Sequence, residues 1–507
     1  MLVALGALIF FYSLHWPYSE RMVIPALQDT FETKVIFQSF HYFYFPNPGC
    51  VIEGLSLASP RGQTPLVRVQ KMTITGRYSD LIAQPRHVAS IRLDGLIVRV
   101  PEPAKRGGFL KSDESESKVS IGAVTADGSV LEIENANGTE PLQFAIQKLT
   151  VSSIAAGKPM TYTVNMNVPE PQGELESEGV FGPWQPGAVG NTALHGSVKL
   201  TNASLDKYAG IAGSLHSTET FSGKLDQMQV IGEAASPDFE LKSAKHRILV
   251  TSRFLVIVNA MKGEVYLKDV TGRIGETPLK VTGDIGQNAK IGRRETTLAF
   301  AIDNGRAEDL LWLFNSAKKP PMIGDARCSG HVRVSRFGPG FLENLTVTAG
   351  KFEIRNGHFQ ETTQLKANEL SARALGRKIK NASEAPEVSV TNLSGDVTIE
   401  KAVAHLSTLY FEVPGARARM DGTYNFDNNQ VDLRGDLWTN AHVSEDTKGI
   451  KSVLLEPFDP VFARKHAGAM VAVTMTGNID EPAFGTVLTK KKTAWAKGQK
   501  SNENKRQ

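Results

Sequence analysis

Residues 178–205 read EGVFGPWQPGAVGNTALHGSVKLTNASL and separate two long regions in which apolar and polar residues alternate. Proline cannot donate a hydrogen bond to a neighbouring strand, and glycine weakens a strand, so the segment FGPWQPG predicts a turn. Alternation resumes over residues 193–200, and residues 205–215 predict a helix. The stretch therefore predicts a strand, a turn that contains Trp184, a second strand and then a helix.

The clearest strand pattern lies in residues 395–439, where apolar and polar residues alternate in four successive runs. Turn signals such as Pro414-Gly415 and Asp421-Gly422 separate these runs, which predicts an antiparallel meander with one apolar and one polar face. Because an apolar face must be covered, a second sheet, a closed barrel and an open trough all remain as alternatives. The residues predicted on the apolar face are Val397, Ile399, Leu409, Phe411, Val413, Ala418, Met420, Val431, Leu433 and Leu437.

Helical patterns are few, and shorter alternating runs predict strands through most of residues 34–168. The firmest helix is residues 306–317, where Leu310, Leu311 and Leu313 share one face. Residues 19–31 predict a short amphipathic helix that Pro25 breaks or begins. The remaining candidates are one turn at residues 78–82 and helices at residues 360–375 and 451–465.

The amino end, residues 1–14, carries no charge, and Trp16 and Tyr18 follow it. A run of up to about 18 residues is at the lower limit for crossing a membrane, and Trp and Tyr favour the membrane interface. A signal peptide fits less well, because neither a basic leader nor a small-x-small cleavage site is present. A buried core helix is a third alternative. The residues predicted to form a membrane anchor are Leu2, Val3, Leu5, Leu8, Ile9, Phe10, Phe11, Leu14 and Trp16.

Composition excludes several classes of function. With 57 basic and 53 acidic residues the charge is nearly balanced, which argues against a nucleic-acid partner. Cys50 and Cys328 provide no disulfide framework, and two buried free thiols are favoured over one long-range disulfide. The histidines lack the spacing of a metal site, and no motif of a nucleophile or of phosphate binding is present. No catalytic residue, metal or cofactor is therefore predicted, and the chain is not expected to be an enzyme.

Domain organisation follows from the polar segments. Residues 101–118, rich in Pro, Gly, Ser and charge, predict a flexible surface loop. The basic carboxyl end predicts a disordered tail that is either solvated or in contact with an anionic membrane. The predicted order is an anchor (1–18), an amino-terminal β region (19–170), a carboxyl-terminal β region (171–487) and a basic tail (488–507).

Several short motifs follow one another in a recognisable order: GPW at 182–184, HGS at 195–197, ASL at 203–205, SPDF at 236–239, GRAEDLL at 305–311 and EPFDP at 456–460. Together they resemble the carboxyl-terminal domain of the AsmA-like family of bacterial envelope proteins, over residues 173–487. The order of strands after the apolar run is similar to the amino-terminal segment of the same family.

The resemblance implies a mostly β fold: an elongated, curled antiparallel sheet that forms an apolar groove, with a few short helices and an amino-terminal membrane anchor. The ten apolar-face residues named above would line this groove. It implies a single-pass protein of the bacterial inner membrane with its bulk in the periplasm. Such a protein would bind phospholipid acyl chains and support lipid transport between inner and outer membranes, with phospholipid, the inner membrane and other envelope proteins as partners. The alternative is a non-enzymatic assembly or scaffold factor whose apolar face is a closed core.

Overall fold

Strands dominate the computed structural model of this protein, as predicted. It describes residues 16–31, 34–57, 66–81, 86–100, 119–134, 140–208, 210–288, 293–314, 319–320, 322–335, 344–359, 364–365, 368, 371, 390–439, 470–478 and 483–486. The strands belong to one large mixed sheet, mainly antiparallel, that is not closed. Several predicted segments lie outside the described residues: residues 1–15 of the membrane anchor, the loop at 101–118, the helix at 451–465 and the basic tail.

The helices are α1 (Glu20–Phe31) and α2 (Ala307–Phe314), with single 3-10 turns at Tyr78–Leu81 and Pro186–Asn191. The strands are β1 (Val35–Ile36), β2 (Ser39–Phe43), β3 (Gly49–Leu57), β4 (Val67–Thr75), β5 (Arg86–Val100), β6 (Val119–Ile133), β7 (Leu142–Ile154), β8 (Met160–Pro169), β9 (Gln172–Phe181), β10 (Ala193–Ser204), β11 (Ile211–Ala212), β12 (Ser214–Lys224), β13 (Gln227–Leu241), β14 (Arg247–Asn259), β15 (Glu264–Ile274), β16 (Thr277–Asn288), β17 (Arg293–Arg306), β18 (Met322–Val334), β19 (Leu345–Phe359), β20 (Thr391–Glu400), β21 (Val403–Val413), β22 (Ala416–Asn425), β23 (Gln430–Thr439), β24 (Met470–Asn478) and β25 (Ala483–Thr486).

One pair of strands departs from the predicted antiparallel pattern. Strands β5 and β6 run parallel, with Arg86 beside Val119 and Val100 beside Ile133. A tight turn can join antiparallel neighbours, whereas a parallel pair needs a long connection, and residues 101–118 separate these two strands. Elsewhere the paired strands that follow one another in the chain are antiparallel, as in β7–β8 and β8–β9.

The chain divides into two compact units. The first contains residues up to Phe239 together with Leu249–Gly272 and Thr282–Glu295, and the second contains Glu240–Ile248, Arg273–Val281 and the residues from Thr296 onward. Strands β8 and β9 pair across residues 170 and 171, where the sequence predicts a domain boundary. That boundary stays a prediction.

The core of the first unit lies under α1. Val23, Ile24 and Leu27 of this helix pack against buried residues of β3, β4 and β5, including Ile52 and Met72. The helix forms as predicted, but it continues through Pro25 instead of breaking there. Pro25 is exposed, so it lies outside the apolar stripe of Val23, Ile24 and Leu27 that packs the helix on the sheet.

Trp16, assigned from sequence to the end of the anchor, is only 6% exposed and belongs to this core. Its ring lies 4.7 Å from that of Tyr44 and 6.1 Å from that of Tyr18, measured between centroids. Among the residues that the structure describes, no helix combines the length and apolar composition needed to span a membrane.

The second unit has its apolar side chains on one face of β18–β24. Helix α2 covers part of that face: Ala307, Leu310 and Leu311 pack with Met322 and Ile354. Further along the sheet, buried residues of β21, β22, β23 and β24 pack around Phe411 and Met420. The predicted helix at 306–317 is thus confirmed over Ala307–Phe314. Of the helix predicted at 360–375, the described residues Gln364, Leu365, Asn368 and Ser371 are helical.

The predicted helix at 205–215 is wrong. The chain instead forms a turn followed by the two-residue strand β11 and the start of β12. Gly210 and Gly213 have φ values of +86° and +120°, which lie outside the helical region and end any helix. Local hydrogen bonds hold the turn, with Ser204 Oγ accepting from the Asp206 amide at 3.2 Å.

Bulges with a left-handed residue interrupt several strands. In β21 the register shifts between Leu406 and Leu409, and Thr408 has φ +50°. In β19 two shifts coincide with Ala349 and Asn356, and in β10 one coincides with Asn202. A bulge adds one residue to one strand, so side chains that are three residues apart share a face across it. Leu406 and Leu409 therefore lie on the same face.

Candidate functional site

A continuous apolar surface crosses β7 to β13 in the first unit. Cross-strand pairing joins side chains into rows, because paired residues point to the same side of a sheet. One row is Ile146, Met166, Leu175, Leu200, Ser217 and Ala234; the next is Leu149, Val164, Ser177, Val198, Glu219 and Gly232; the third is Val151, Tyr162, Gly179, Gly196, Phe221 and Val230. These three rows are called the apolar face below.

The opposite side of the same strands is polar. Its central row consists of Lys148, Asn165, Glu176, Lys199, Thr218 and Glu233, all of them exposed. Each residue of this row precedes or follows a residue of the apolar face in the chain. The alternation of the sequence thus separates the two faces over six strands, with Ser177, Ser217 and Glu219 as polar exceptions on the apolar face.

Most large side chains of the apolar face are only partly buried. Met166, Leu175, Val198 and Leu200 keep part of their surface exposed, whereas Val164 is buried between its neighbours. The single α-helix among the described residues of the first unit is α1, and it packs on β3–β5. No described helix of the first unit therefore covers the apolar face of β7–β13.

Glycines let bulky side chains lie flat on this face. A Cβ at residue 196 would lie 2.7 Å from the ring of Phe221 and would also meet the carbonyl oxygen of Glu178. Gly196 and Gly179 are paired directly, so the Phe221 ring covers a patch of bare backbone. The HGS motif at 195–197 thus has a packing role.

One carboxyl group, that of Glu219, lies on the apolar face. It sits above Gly232, where a Cβ would approach Glu219 Cγ to 2.6 Å and the Phe254 ring to 2.8 Å. Burial raises the pKa of Glu219, while a hydrogen bond from Ser217 opposes that shift. No described Lys, Arg or His forms an ion pair with it. A partly buried carboxyl without a cation is an uncommon group on an apolar surface.

Replacing Glu219 by Gln is expected to stabilise the protein at neutral pH. Because its pKa is raised on folding, the folded state keeps this proton to higher pH than the unfolded state. Stability is then lost as the pH rises from the ordinary carboxyl range through the raised value. Glu219→Gln should raise the free energy of unfolding at pH 7.5 by about 1 kcal/mol or less, because the group keeps some contact with solvent. At pH 4 the same substitution should change the free energy of unfolding little.

Urea unfolding at the two pH values measures this effect. Glu176→Gln, on the exposed row of the same sheet, is the matched control and should shift neither midpoint. A gain for Glu219→Gln that is equal at pH 4 and pH 7.5 would mean that ionisation of Glu219 is not its source.

In the second unit, the ten residues predicted on the apolar side of the meander do share one face, as the pairing of β20–β23 requires. Six of them are buried by protein: Leu409, Val413, Ala418, Val431, Leu433 and Leu437. The other four, Val397, Ile399, Phe411 and Met420, are partly exposed. Whether any of them lines a groove for a ligand stays a prediction.

The motifs that suggested a family have structural contacts. Trp184 packs on Phe181 at 5.8 Å between ring centroids, in the turn predicted from FGPWQPG. Asp238 accepts hydrogen bonds from the amide and the hydroxyl of Ser214, at 2.8 and 2.7 Å. Asp309 accepts from the Glu276 amide at 3.0 Å and from Thr277 Oγ1 at 2.9 Å.

The cysteines are free thiols, one of the two alternatives left open by the sequence. Burial raises the pKa of Cys50 to about 12 and that of Cys328 to about 11. Both are therefore protonated at neutral pH, and a protonated thiol is a poor nucleophile. Within the described ranges, no three His, Cys, Asp or Glu residues are grouped so that they could hold a metal ion.

The apolar face of β7–β13 was not predicted as a site, although its strands were expected. Its signal is the alternation itself: Leu215, Ser217, Glu219 and Phe221 are the residues of one run that lie on this side of the sheet.

Comparison with models of known protein families gave no match, and neither did comparison with curated proteins or with solved structures.

Proposed function

We propose that this chain is an AsmA-like envelope protein that binds phospholipid acyl chains and supports lipid transport or homeostasis between the inner and outer membranes. The observation that carries the proposal is the apolar face of β7–β13, where most of the large side chains keep exposed surface and no described helix of the first unit packs on them. The ordered motifs within residues 173–487 support the family.

The binding energy would come from the hydrophobic effect. Each CH₂ group of an acyl chain that leaves water gains roughly 0.8 kcal/mol, so an apolar surface on many strands can hold a lipid tail without a reaction or a cofactor. In this proposal the sheet curls so that the apolar face becomes a groove. Specificity for tails would be loose, because all acyl chains present the same methylene groups.

The location follows from the sequence. The uncharged run at residues 1–14 would anchor the chain in a bacterial inner membrane, and the strands would lie in the periplasm. Phospholipid and the inner membrane are then the direct partners. Other envelope proteins are expected to receive or deliver the lipid.

A scaffold for outer-membrane protein assembly is the second candidate. The observation that favours it is the burial of Val413, Leu433 and Leu437 in the second unit. There the apolar side of β20–β23 is packed by protein as an ordinary core. A scaffold would need no exposed lining, and its partners would be proteins. The two candidates predict different molecules against the apolar face of the first unit.

Photo-crosslinking from adjacent residues of β10 tests the proposal. Leu200 lies on the apolar face and Lys199 lies on the exposed row. A benzophenone side chain is placed at either position in the full chain, which is irradiated in cell membranes and analysed by mass spectrometry. We expect phospholipid adducts at position 200, several-fold more abundant than at position 199.

Two other outcomes contradict acyl-chain binding. Adducts with a protein at position 200 would favour the scaffold. Equal lipid adducts at 199 and 200 would mean that the lipid contacts the strand without regard to its face. Leu200→Glu, compared with Lys199→Glu, is the functional counterpart: only the former should remove phospholipid that co-purifies with the folded chain.

A further inference from the structure

Four exposed aromatic side chains lie together at one end of strands β2–β4 in the first unit. They are Tyr42, Tyr44, Phe45 and Tyr78, called the aromatic tip below, and they are 51%, 48%, 85% and 50% exposed. Tyr42 and Tyr44 meet edge to face with centroids 5.5 Å apart, and the Tyr78 hydroxyl donates a hydrogen bond to the Tyr44 carbonyl oxygen. Such an exposed cluster is unusual on a soluble surface.

The strands explain why these residues meet. Phe43 ends β2 opposite Gly49, which begins β3, and Gly49 in turn pairs with Thr75 at the end of β4. The amide of Gly76 donates to the Pro48 carbonyl oxygen at 2.8 Å, which joins the β2–β3 turn to the segment that contains Tyr78. The tip is therefore a fixed feature of the end of the sheet.

The part of the tip that lies in the β2–β3 turn is uncharged. Residues 42–49 read YFYFPNPG and contain no Asp, Glu, Lys or Arg. Phe45 has no polar atom in its side chain, and the tyrosines each combine an apolar ring with a hydroxyl group. That mixture is the one favoured at the boundary between lipid headgroups and acyl chains.

Trp16, the first residue that the structure describes, lies beside the tip. Its ring packs on that of Tyr44, with centroids 4.7 Å apart. In the sequence, Trp16 comes two residues after the end of the uncharged run, residues 1–14. The tip is therefore in contact with a residue that is close in sequence to the apolar run.

We propose that the aromatic tip inserts into the interface of a lipid bilayer, so that the folded unit itself contacts the membrane. Tyr42, Tyr44 and Tyr78 would lie at the headgroup level, and Phe45 would reach the upper acyl region. The inference shares with the proposed function only the membrane location of the chain. It does not require an acyl chain on the apolar face of β7–β13.

A fluorescent depth probe tests this contact in the full chain. Asn47, exposed in the same turn, is replaced by Cys and labelled with an NBD fluorophore, which leaves all four aromatic residues in place. The native thiols should react slowly at pH 7, because burial raises the pKa values of Cys50 and Cys328. The chain is reconstituted into vesicles of phosphatidylethanolamine and phosphatidylglycerol that contain a nitroxide-labelled lipid.

At position 47 we expect a blue shift of the emission and strong quenching by the nitroxide. Asn428→Cys, in the exposed turn between β22 and β23, is the matched control and should show neither. Adding Phe45→Asp to Asn47→Cys should reduce the quenching several-fold. An Asn47 probe that stays in water like the control would overturn the inference.

Two further results separate this inference from its alternatives. A blue shift in lipid-free buffer that depends on protein concentration would assign the tip to contact with a second copy and overturn the membrane contact. A probe in water together with lipid adducts at position 200 would overturn the tip contact alone. Insertion of the tip without any lipid adduct at position 200 would instead contradict the proposed function.

Discussion

Replacing Val413 by Asp is expected to unfold the second unit or to lower its free energy of unfolding by about 4 kcal/mol or more. The Val413 side chain is 1% exposed and packs among Ala416, Ala418 and Leu437. The substitution removes that packing and puts an unpaired carboxyl group in its place, and a carboxylate without a partner is among the most costly groups to bury. Urea unfolding followed by the fluorescence of Trp438, in strand β23 of the same unit, measures the loss.

The matched control is Glu412→Asp, which puts the same side chain one residue earlier, on the exposed face. It should change stability by less than about 0.5 kcal/mol. A Val413→Asp protein as stable as this control would mean that Val413 is not part of a packed core. The result also bears on ligand binding: loss of lipid after a change at Val413 would report unfolding, so the partly exposed Phe411 is the better position to probe for a ligand.

Replacing Asp309 by Ala is expected to cost about 2–4 kcal/mol of the stability of the second unit. The Asp309 carboxylate joins the first turn of α2 to the β15–β16 turn through the amide of Glu276 and the hydroxyl of Thr277. Thr277 is fully buried, and its oxygen also accepts a hydrogen bond from the Arg306 amide at 2.9 Å. Hydrogen bonds to a charged group contribute about 1.5–3 kcal/mol each, and a negative charge near a helix N-terminus adds to this.

Glu308→Ala is the control on the same helical turn. Glu308 pairs with Arg306, whose side chain is largely exposed, and accepts one long hydrogen bond from the Gly324 amide at 3.4 Å, so it should contribute about 1 kcal/mol or less. Asp309→Asn should recover part of the loss, because an amide oxygen can still accept a hydrogen bond. The ring of Trp312 in α2 stacks on that of His246, with centroids 3.9 Å apart. The fluorescence of Trp312 therefore reports whether α2 remains packed on the sheet. Equal losses for Asp309→Ala and Glu308→Ala would contradict the role of the buried contacts.

Much of β20–β23 could be predicted because apolar residues recur at every second position of these strands on either side of the bulge at Thr408. Phe411, Ala418 and Leu437 were placed on one face from sequence, and the register joins them in one row. The period alone decides which face a residue occupies, whereas the burial of that face depends on what packs on it. Hence the face was predictable, and the difference between buried Val413 and partly exposed Met420 was not.

Glycine-rich segments were the least predictable part of the sequence. Residues 205–215 contain small residues that tolerate a helix, but Gly210 and Gly213 adopt left-handed conformations. Asp238, from a different strand, fixes the start of β12 through Ser214. A contact between residues so far apart in the chain cannot be derived from local pattern, and here it overrides local propensity.

The candidate site illustrates the same limit. Glu219 occupies an inward position of β12, and its parity with Leu215 and Phe221 is visible in the sequence. Its position over Gly232 of a neighbouring strand, with no cation paired to it among the described residues, depends on pairing between strands. Likewise, the sequence shows that Tyr42 to Phe45 are aromatic, but only the turn geometry brings Tyr78 beside them.

The bulges at Asn202, Ala349, Asn356 and Thr408 each shift by one residue the alternation of side chains between the two faces of the sheet. Upstream of Thr408, the inward side chains of β21 occupy even-numbered positions, and downstream they occupy odd-numbered ones. Deleting one residue there would therefore force one half of the strand to turn its apolar side chains to solvent, unless the bulge disappears with it. Homologous chains that gain or lose single residues should do so at bulges such as these four, where the alternation is already shifted by one residue and both faces of the sheet can be preserved.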